Sequence, residues 1–546
     1  MNVLAWLRKA FAAATPAGGD PEAFGNAVRT ATDSKFGEYQ ANGCMALAKS
    51  QKRNPRDLAQ EVAARVVLSP VAGAPEVAGP GFLNVRLEDA WIARTLRDLL
   101  NDESLGIEPV GDPKTVVIDY SSPNVAKPMH VGHIRSTVIG ESLARILSAV
   151  GHRVIRDNHL GDWGSQFGMI LWGWKNHRDE SAFAANPVHE LSRLYRLAQQ
   201  KIQEKEAGVE EATRAETAKL HAGDPENRRL WKEFMPECLK ALQSVYDRLD
   251  IRFDHELGES FYDPMLESVV DDLEKKGLAV ESDGARVVFV EGIKAPFIVR
   301  KRDGAYNYAT TDLATIKYRV DTWKADQALY VVDNRQGDHF KQLFAVAKMW
   351  GYDKIELEHV AFGSILGKDR RPFKTRSGDV VGLESLLDEA ASEARKVVDE
   401  NSPHLDEQER ANVAEIVGLG AIKYADLSQN RLSDYVFDWQ KMLAMNGNTG
   451  AYLQYAYARI QSIFRKGEIA PESIREQRPP VLLSHPAERR LGVLILRLPE
   501  SLLLAAQEHK ANVLTDYLFE LANAFSAFFE ECPVLKAESP ERRNSR

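Results

Sequence analysis

One stretch near residue 115 limits what this chain can fold into more than any other feature. Thr115-Val116-Val117-Ile118-Asp119-Tyr120 is a short apolar run rich in β-branched residues, which reads as a buried strand. A polar loop follows. Apolar residues then recur at helical spacing from Ile134 to Val150, and Gly151 marks a stop. Val154-Ile155-Arg156-Asp157 reads as the next strand. Strand, loop, helix and strand in that order make a βαβ unit. The unit predicts a parallel sheet, with ligands bound beyond the carboxyl ends of its strands.

The chain has 546 residues, which leaves room for three or four domains of about 150 residues each. Breaks fall at the Gly/Pro-rich stretch 69–81 and at the polar stretch 101–114, which contains Gly106, Gly111 and Pro113. The expected organisation is an α/β protein in three parts. Residues 1–112 form a small α+β N-terminal domain. Residues 113–384 form a Rossmann-like parallel-sheet domain with a charged helical insertion at about 180–260. Residues 385–546, nearly all helical in period, form an all-helical C-terminal domain. Further strands are expected at Arg286–Val290, Phe297–Arg300 and Ala328–Val332. The net charge of −9 argues against bulk, non-specific nucleic-acid binding, but it leaves enough Lys and Arg for a local basic groove.

Cys44, Cys238 and Cys532 lie far apart, so neither a disulfide framework nor a cysteine zinc site is expected. No apolar run approaches the roughly 18–20 residues of a membrane span. Arg8 and Lys9 interrupt the N-terminal apolar stretch, whose Leu4, Leu7 and Phe11 are spaced like one face of a helix rather than a secretory signal. A cytoplasmic protein is the expectation.

The chemistry concentrates in Ser121-Ser122-Pro123-Asn124-Val125-Ala126-Lys127-Pro128-Met129-His130-Val131-Gly132-His133, between the first strand and its helix. A helix N-terminus there presents free N–H groups and a partial positive charge to a phosphate. His130 and His133 add donors, and Gly132 lets a base or ribose approach the backbone. A histidine at a helix start is often only a cap. Two of them in a tight Pro/Gly turn at a strand-to-helix junction favour nucleotide binding.

These residues carry a family resemblance. His130-Val131-Gly132-His133 matches the His-Ile-Gly-His motif of class I aminoacyl-tRNA synthetases, and the context from Asp119 to His133 resembles the arginyl family. Other stretches resemble that family in its own order. They are Phe36–Asn42 and Gly79–Asn84, then Asp157–Gly168, then Lys423–Leu427 and Gly447–Ala456.

The resemblance implies ligation of L-arginine to tRNA(Arg) through an arginyl-adenylate, with release of AMP and pyrophosphate. ATP would enter with Mg²⁺, no protein-bound structural metal is expected, and a tRNA requirement for arginine activation is common in the family. It implies a monomer and no membrane partner. ATP would be held by Lys127, His130, Gly132 and His133. Phe373-Lys374-Thr375-Arg376-Ser377 stands where the class carries Lys-Met-Ser-Lys-Ser, which makes Lys374 and Arg376 further catalytic cations. By the same resemblance arginine would be bound by Asp119, Asn124, His130, Tyr308, Asp312 and Gln336. Asp312 would take the guanidinium beside Tyr308, one helical turn away. Phe36, Tyr39, Gln40 and Asn42, together with Tyr452, Tyr457 and Arg459, would touch tRNA. The family usually continues past Cys532-Pro533-Val534-Leu535 with another helix, where this chain runs only to Arg546. A cysteinyl-type ligase would need a thiolate zinc site, which the scattered cysteines do not provide. A non-catalytic paralogue sits badly with the intact Lys127, His130, Gly132 and His133.

Overall fold

The structure is a computed structural model that describes all residues except Ala126, Pro372 and 374–381. The chain folds as two compact units. One comprises Met1–Val110 with Met445–Asn448 and Tyr452–Arg546, and the other Gly111–Ala444 with Thr449–Ala451.

The first unit opens with the helix Val3–Ala13, whose Leu7 and Phe11 are buried as the i, i+4 spacing requires. It leads into an antiparallel sheet of β1 (Val28–Thr30), β2 (Tyr39–Ala41), β3 (Glu76–Ala78) and β4 (Phe82–Val85), in the order β1-β2-β4-β3. The core of this sheet takes in Val493 and Leu496 from the helix Pro486–Leu496. Arg489 on that helix pairs with Glu38 and Asp89, each at 2.6 Å. The N-terminal segment and the last helices therefore share one core, although nearly 400 residues separate Asp89 from Arg489.

The second unit holds the expected parallel sheet. β5 (Thr115–Asp119) and β6 (Arg153–Asp157) flank the helix Val131–Ala149. After the antiparallel β7 (Ala279–Ser282), β8 (Ala285–Val288) and β9 (Phe297–Arg300) come β10 (Gln327–Tyr330) and β11 (Glu356–His359). The parallel order is β11-β10-β5-β6. The insertion is helical as expected, and its last helix runs Pro225–Arg248. The helices Leu383–Asn401 and Glu407–Leu427 fold within this unit, across the boundary expected near 384. A buried ion pair accounts for this: Arg135 Nε lies 3.1 Å from Asp426, and both side chains are excluded from solvent. Among the described residues, no helix is long and apolar enough to cross a membrane.

The helix Val131–Ala149 is buried nearly all round and packs against β6 and β5. Gly140 makes that possible, because a Cβ there would overlap the ring of Tyr120 at the end of β5. Replacing Gly140 by Ala should overpack this contact by about 1–3 kcal/mol. The expected outcome is a Tm several degrees below that of the parent by differential scanning calorimetry. An unchanged Tm would show that the helix can move away.

Candidate functional site

β5 and β6 are parallel neighbours, and each ends on a carboxylate, Asp119 and Asp157. The chain then turns through Ser121 and Ser122 at φ of 69° and 45°. Non-glycine residues in this region cost of order 1–3 kcal/mol each and persist where the surroundings hold them. Here they are held from several directions. Ser121 N donates to Ser136 Oγ at 2.9 Å, and Thr137 Oγ1 donates to Ser121 Oγ at 2.9 Å. The Ser121 and Tyr246 hydroxyls are also bonded at 2.9 Å, so a helix of the insertion supports the loop. Ser122 N donates to Asn158 Oδ1 at 3.1 Å.

The loop delivers His130 as the N-cap of Val131–Ala149. Gly132 N donates to His130 Nδ1 at 3.1 Å, and His130 N donates to His133 Nδ1 at 3.0 Å. The ring centroids are 4.0 Å apart. An Nδ1 that accepts a backbone N–H carries no proton, which assigns the proton of each neutral ring to Nε2. Burial, then the Lys127 ammonium, pulls the His130 pKa down. Burial and the neighbouring His130 bring that of His133 to about 4. Lys127 lies over the Tyr195 ring, 4.4 Å from its centroid. Two Nε2–H donors, a helix N-terminus and an ammonium thus share one place, which suits an extended polyanion. Lys374 and Arg376 lie outside the described residues.

The helix Tyr308–Asp321 carries the residues expected to take the guanidinium. Tyr308 and Asp312 stand one turn apart, and Tyr308 is 62% exposed. His339 Nε2 bonds Asp312 Oδ2 at 2.6 Å, and its ring packs edge-on against Tyr308 and stacks on Phe297. Glu259 is a second acid here. Burial pushes its carboxyl up, and repulsion from Asp162 and Asp312 adds to this, while His159 opposes it. The Glu259 backbone N–H bonds the Leu160 carbonyl at 3.0 Å.

The other expected ligands of the amino acid are placed unevenly. Asn124 bridges to Gly161, where any Cβ would strike Asn124 Oδ1. Gln336 is exposed on the short turn Asn334–Gln336 before the helix Gly337–Trp350. Asp119 differs from expectation, because the chain itself already occupies its carboxylate. Arg319 Nη2 donates to Asp119 Oδ2 at 2.6 Å and to Asp157 Oδ2 at 2.7 Å, and Ser122 Oγ donates to Asp119 Oδ1 at 2.9 Å.

The residues expected to touch tRNA lie in the first unit. Tyr39 is a correction: it is fully buried in the core with its hydroxyl on Glu500, so it cannot stack on a base. Gln40 donates to Asn84 at 2.8 Å, and Asn42 Oδ1 is buried. The Phe36 ring lies under the Lys35 ammonium. Tyr452 bonds Asn523 and Ser526 within the helical bundle. Tyr457 is 63% exposed, and Arg459 lies over both the Tyr455 and Phe529 rings.

Comparison with known proteins matches three models in chain order. They are the arginyl tRNA synthetase N-terminal domain over residues 2–87, the catalytic domain of tRNA synthetases class I (R) over 95–439, and the DALR anticodon binding domain over 453–546. The arginine–tRNA ligase of Rhodopirellula baltica is 44% identical, with 95% of this chain and 92% of that protein covered. That of Klebsiella pneumoniae is 44% identical over 100% and 96%. The arginyl-tRNA synthetase structure from Plasmodium falciparum has a TM-score of 0.80 at 30% identity, covering 95% of this chain and 90% of that one. The one from Thermus thermophilus has 0.82 at 25%, covering 99% and 95%.

The histidine geometry makes a pH prediction. The folded His133 ring titrates at about 4, whereas an unfolded histidine titrates near 6.5. Between those values the unfolded chain binds a proton that the folded ring refuses. Its contribution to stability is therefore complete above about 6.5 and declines as pH falls toward 4. The His133 ring resonances should keep neutral-imidazole shifts down to pH 5 in an NMR titration. A midpoint at 6 or above would contradict the assigned environment.

Proposed function

Because this chain belongs to the class I arginyl-tRNA synthetases, we propose a division of labour among its residues for the ATP-dependent ligation of arginine to tRNA(Arg). What supports it is a helix start with two capping histidines beside the Lys127 ammonium, in the same compact unit as the helix that carries Asp312.

ATP binds with its phosphates against the Nε2–H groups of His130 and His133 and the Lys127 ammonium. Gly132 leaves the helix start open. Mg²⁺ accompanies ATP as part of the substrate; among the described residues, no cluster of three or more His, Cys, Asp or Glu side chains could hold a metal. The guanidinium of arginine enters the slot between Asp312 and Glu259, with Tyr308 against its face. Two carboxylates satisfy its fork of donors. Asn124 and Gln336 serve the amino-acid end. Asp119 acts indirectly, through its bonds to Arg319 and Ser122.

The arginine carboxylate attacks the α-phosphorus, the bond to the β-phosphate oxygen breaks, and pyrophosphate leaves. The terminal 2′-hydroxyl of tRNA then attacks the arginyl carbonyl, and AMP leaves. Neutral imidazoles suit this chemistry. They donate to negative charge as it develops on phosphate oxygens, and they need not lose a proton during the step. Positioning and electrostatics carry the rate, as in phosphoryl transfer generally. Tyr457, Tyr455 and Arg459 offer exposed rings and a cation to a splayed base in the region that matches the anticodon-binding model. A monomer in the cytoplasm is the state that the family resemblance implies.

ATP–pyrophosphate exchange with each amino acid, with and without tRNA(Arg), tests this reading. Only arginine should support exchange. Asp312→Ala should cost about 1.5–3 kcal/mol of arginine binding, a ten- to hundredfold rise in KM for arginine. The Kd for ATP should stay within threefold. Unchanged arginine affinity would remove Asp312 from the slot.

A further inference from the structure

Arg319 has no direct task in the chemistry above, yet its charge is fully enclosed near the site. Its side chain is 0% exposed, and it bonds the terminal carboxylates of two adjacent strands. Its Nε also donates to Asp157 Oδ2 at 3.2 Å. A buried ion pair is weak evidence for stability, since apolar residues of the same volume often serve as well. Its geometry is more informative. Arg319 lies seven positions after Asp312 on Tyr308–Asp321, two turns away and on the same face. One end of that helix carries Tyr308 and Asp312. The other end grips the edge of the sheet.

The grip continues into the nucleotide loop by two routes. Asp119 accepts the Ser122 hydroxyl at 2.9 Å. Asp157 is followed by Asn158, which accepts from Ser122 N at 3.1 Å and donates to the Tyr246 hydroxyl at 3.2 Å. Ser122 is one of the two left-handed residues that aim the loop toward Asn124 and His130.

We propose that Arg319 is a positioning residue for adenylate formation: its guanidinium locks the helix that bears the amino-acid slot to the strand ends that bear the nucleotide loop, and so sets the attacking register of the two substrates. The proposal rests on the assignment of Asp312 to arginine and of the loop to ATP. It requires a planar fork. A lysine ammonium is a point donor on a flexible stem and cannot hold both carboxylates in the same geometry. Loss of register should slow the reaction without weakening either substrate alone, because each site stays intact within its own element.

The test compares Arg319→Lys and Ser122→Ala with the parent, as full-length protein with tRNA(Arg) and with rates normalised by active-site titration. Arg319→Lys should lower kcat for ATP–pyrophosphate exchange at least tenfold. The Kd for arginine and the Kd for ATP, each measured alone, should stay within threefold. Ser122→Ala strands no buried charge and should lower kcat at least threefold with the same constancy of Kd. The double variant should be no slower than Arg319→Lys alone, since both changes cut one chain of contacts. A kcat within threefold of the parent for Arg319→Lys, a Kd that rises as much as kcat falls, or losses that multiply in the double variant would each overturn the proposal. If Arg319→Lys does not fold, Ser122→Ala decides, and an unchanged kcat overturns it. A parent protein that exchanges no pyrophosphate with arginine would instead refute the functional reading itself.

Discussion

Two carboxylates at the ends of neighbouring strands repel one another, and burial makes that repulsion worse. Asp119 and Asp157 sit side by side because the guanidinium of Arg319 lies between them. The arrangement solves a local electrostatic problem, and it also ties down the backbone that follows each strand. From Asp119 the chain enters the strained Ser121–Ser122 turn. From Asp157 it enters the segment of Asn158 and His159, which leads to Gly161 beside Asn124. The site is assembled on these two exits.

The anion-binding half of the site depends on tautomers more than on charge. Both Nδ1 atoms accept backbone N–H groups at the helix start, which leaves Nε2 of each ring as the donor. A charged imidazolium would bind phosphate more tightly in the ground state. Burial and Lys127 hold the rings neutral, and the positive charge comes from the ammonium and the helix end. The acidic half is the converse. Glu259 is pushed toward its neutral form while no guanidinium is near, and a cation in the slot would reverse that cost.

The first unit is joined by contacts that no local pattern announces. Tyr39, on a short strand, carries its hydroxyl to Glu500 on Leu498–Glu508, and Glu500 also accepts from Leu4 N at 3.0 Å. Arg489 bridges Glu38 and Asp89. These polar links run beside an apolar core built from both ends of the chain. An aromatic that looks available for base stacking in the sequence is thereby committed to the interior.

The sequence alone determined the βαβ unit and the place of the nucleotide loop, because each is set by local periodicity or by a contiguous motif, whereas Tyr308 and Asp312 were named only by the family resemblance. Residues 115–157 needed no distant partner to be read. Tertiary structure alone decided the rest. It spent Asp119 on Arg319, buried Glu259 where Asp312 and His159 act on its charge, buried Tyr39, and drew the helices after residue 383 into the same unit as the parallel sheet. The reason is that charge pairing and burial act across space between residues far apart in the chain. A side chain's neighbours, which settle whether a carboxylate is a ligand or a strut, have no period to be recognised by.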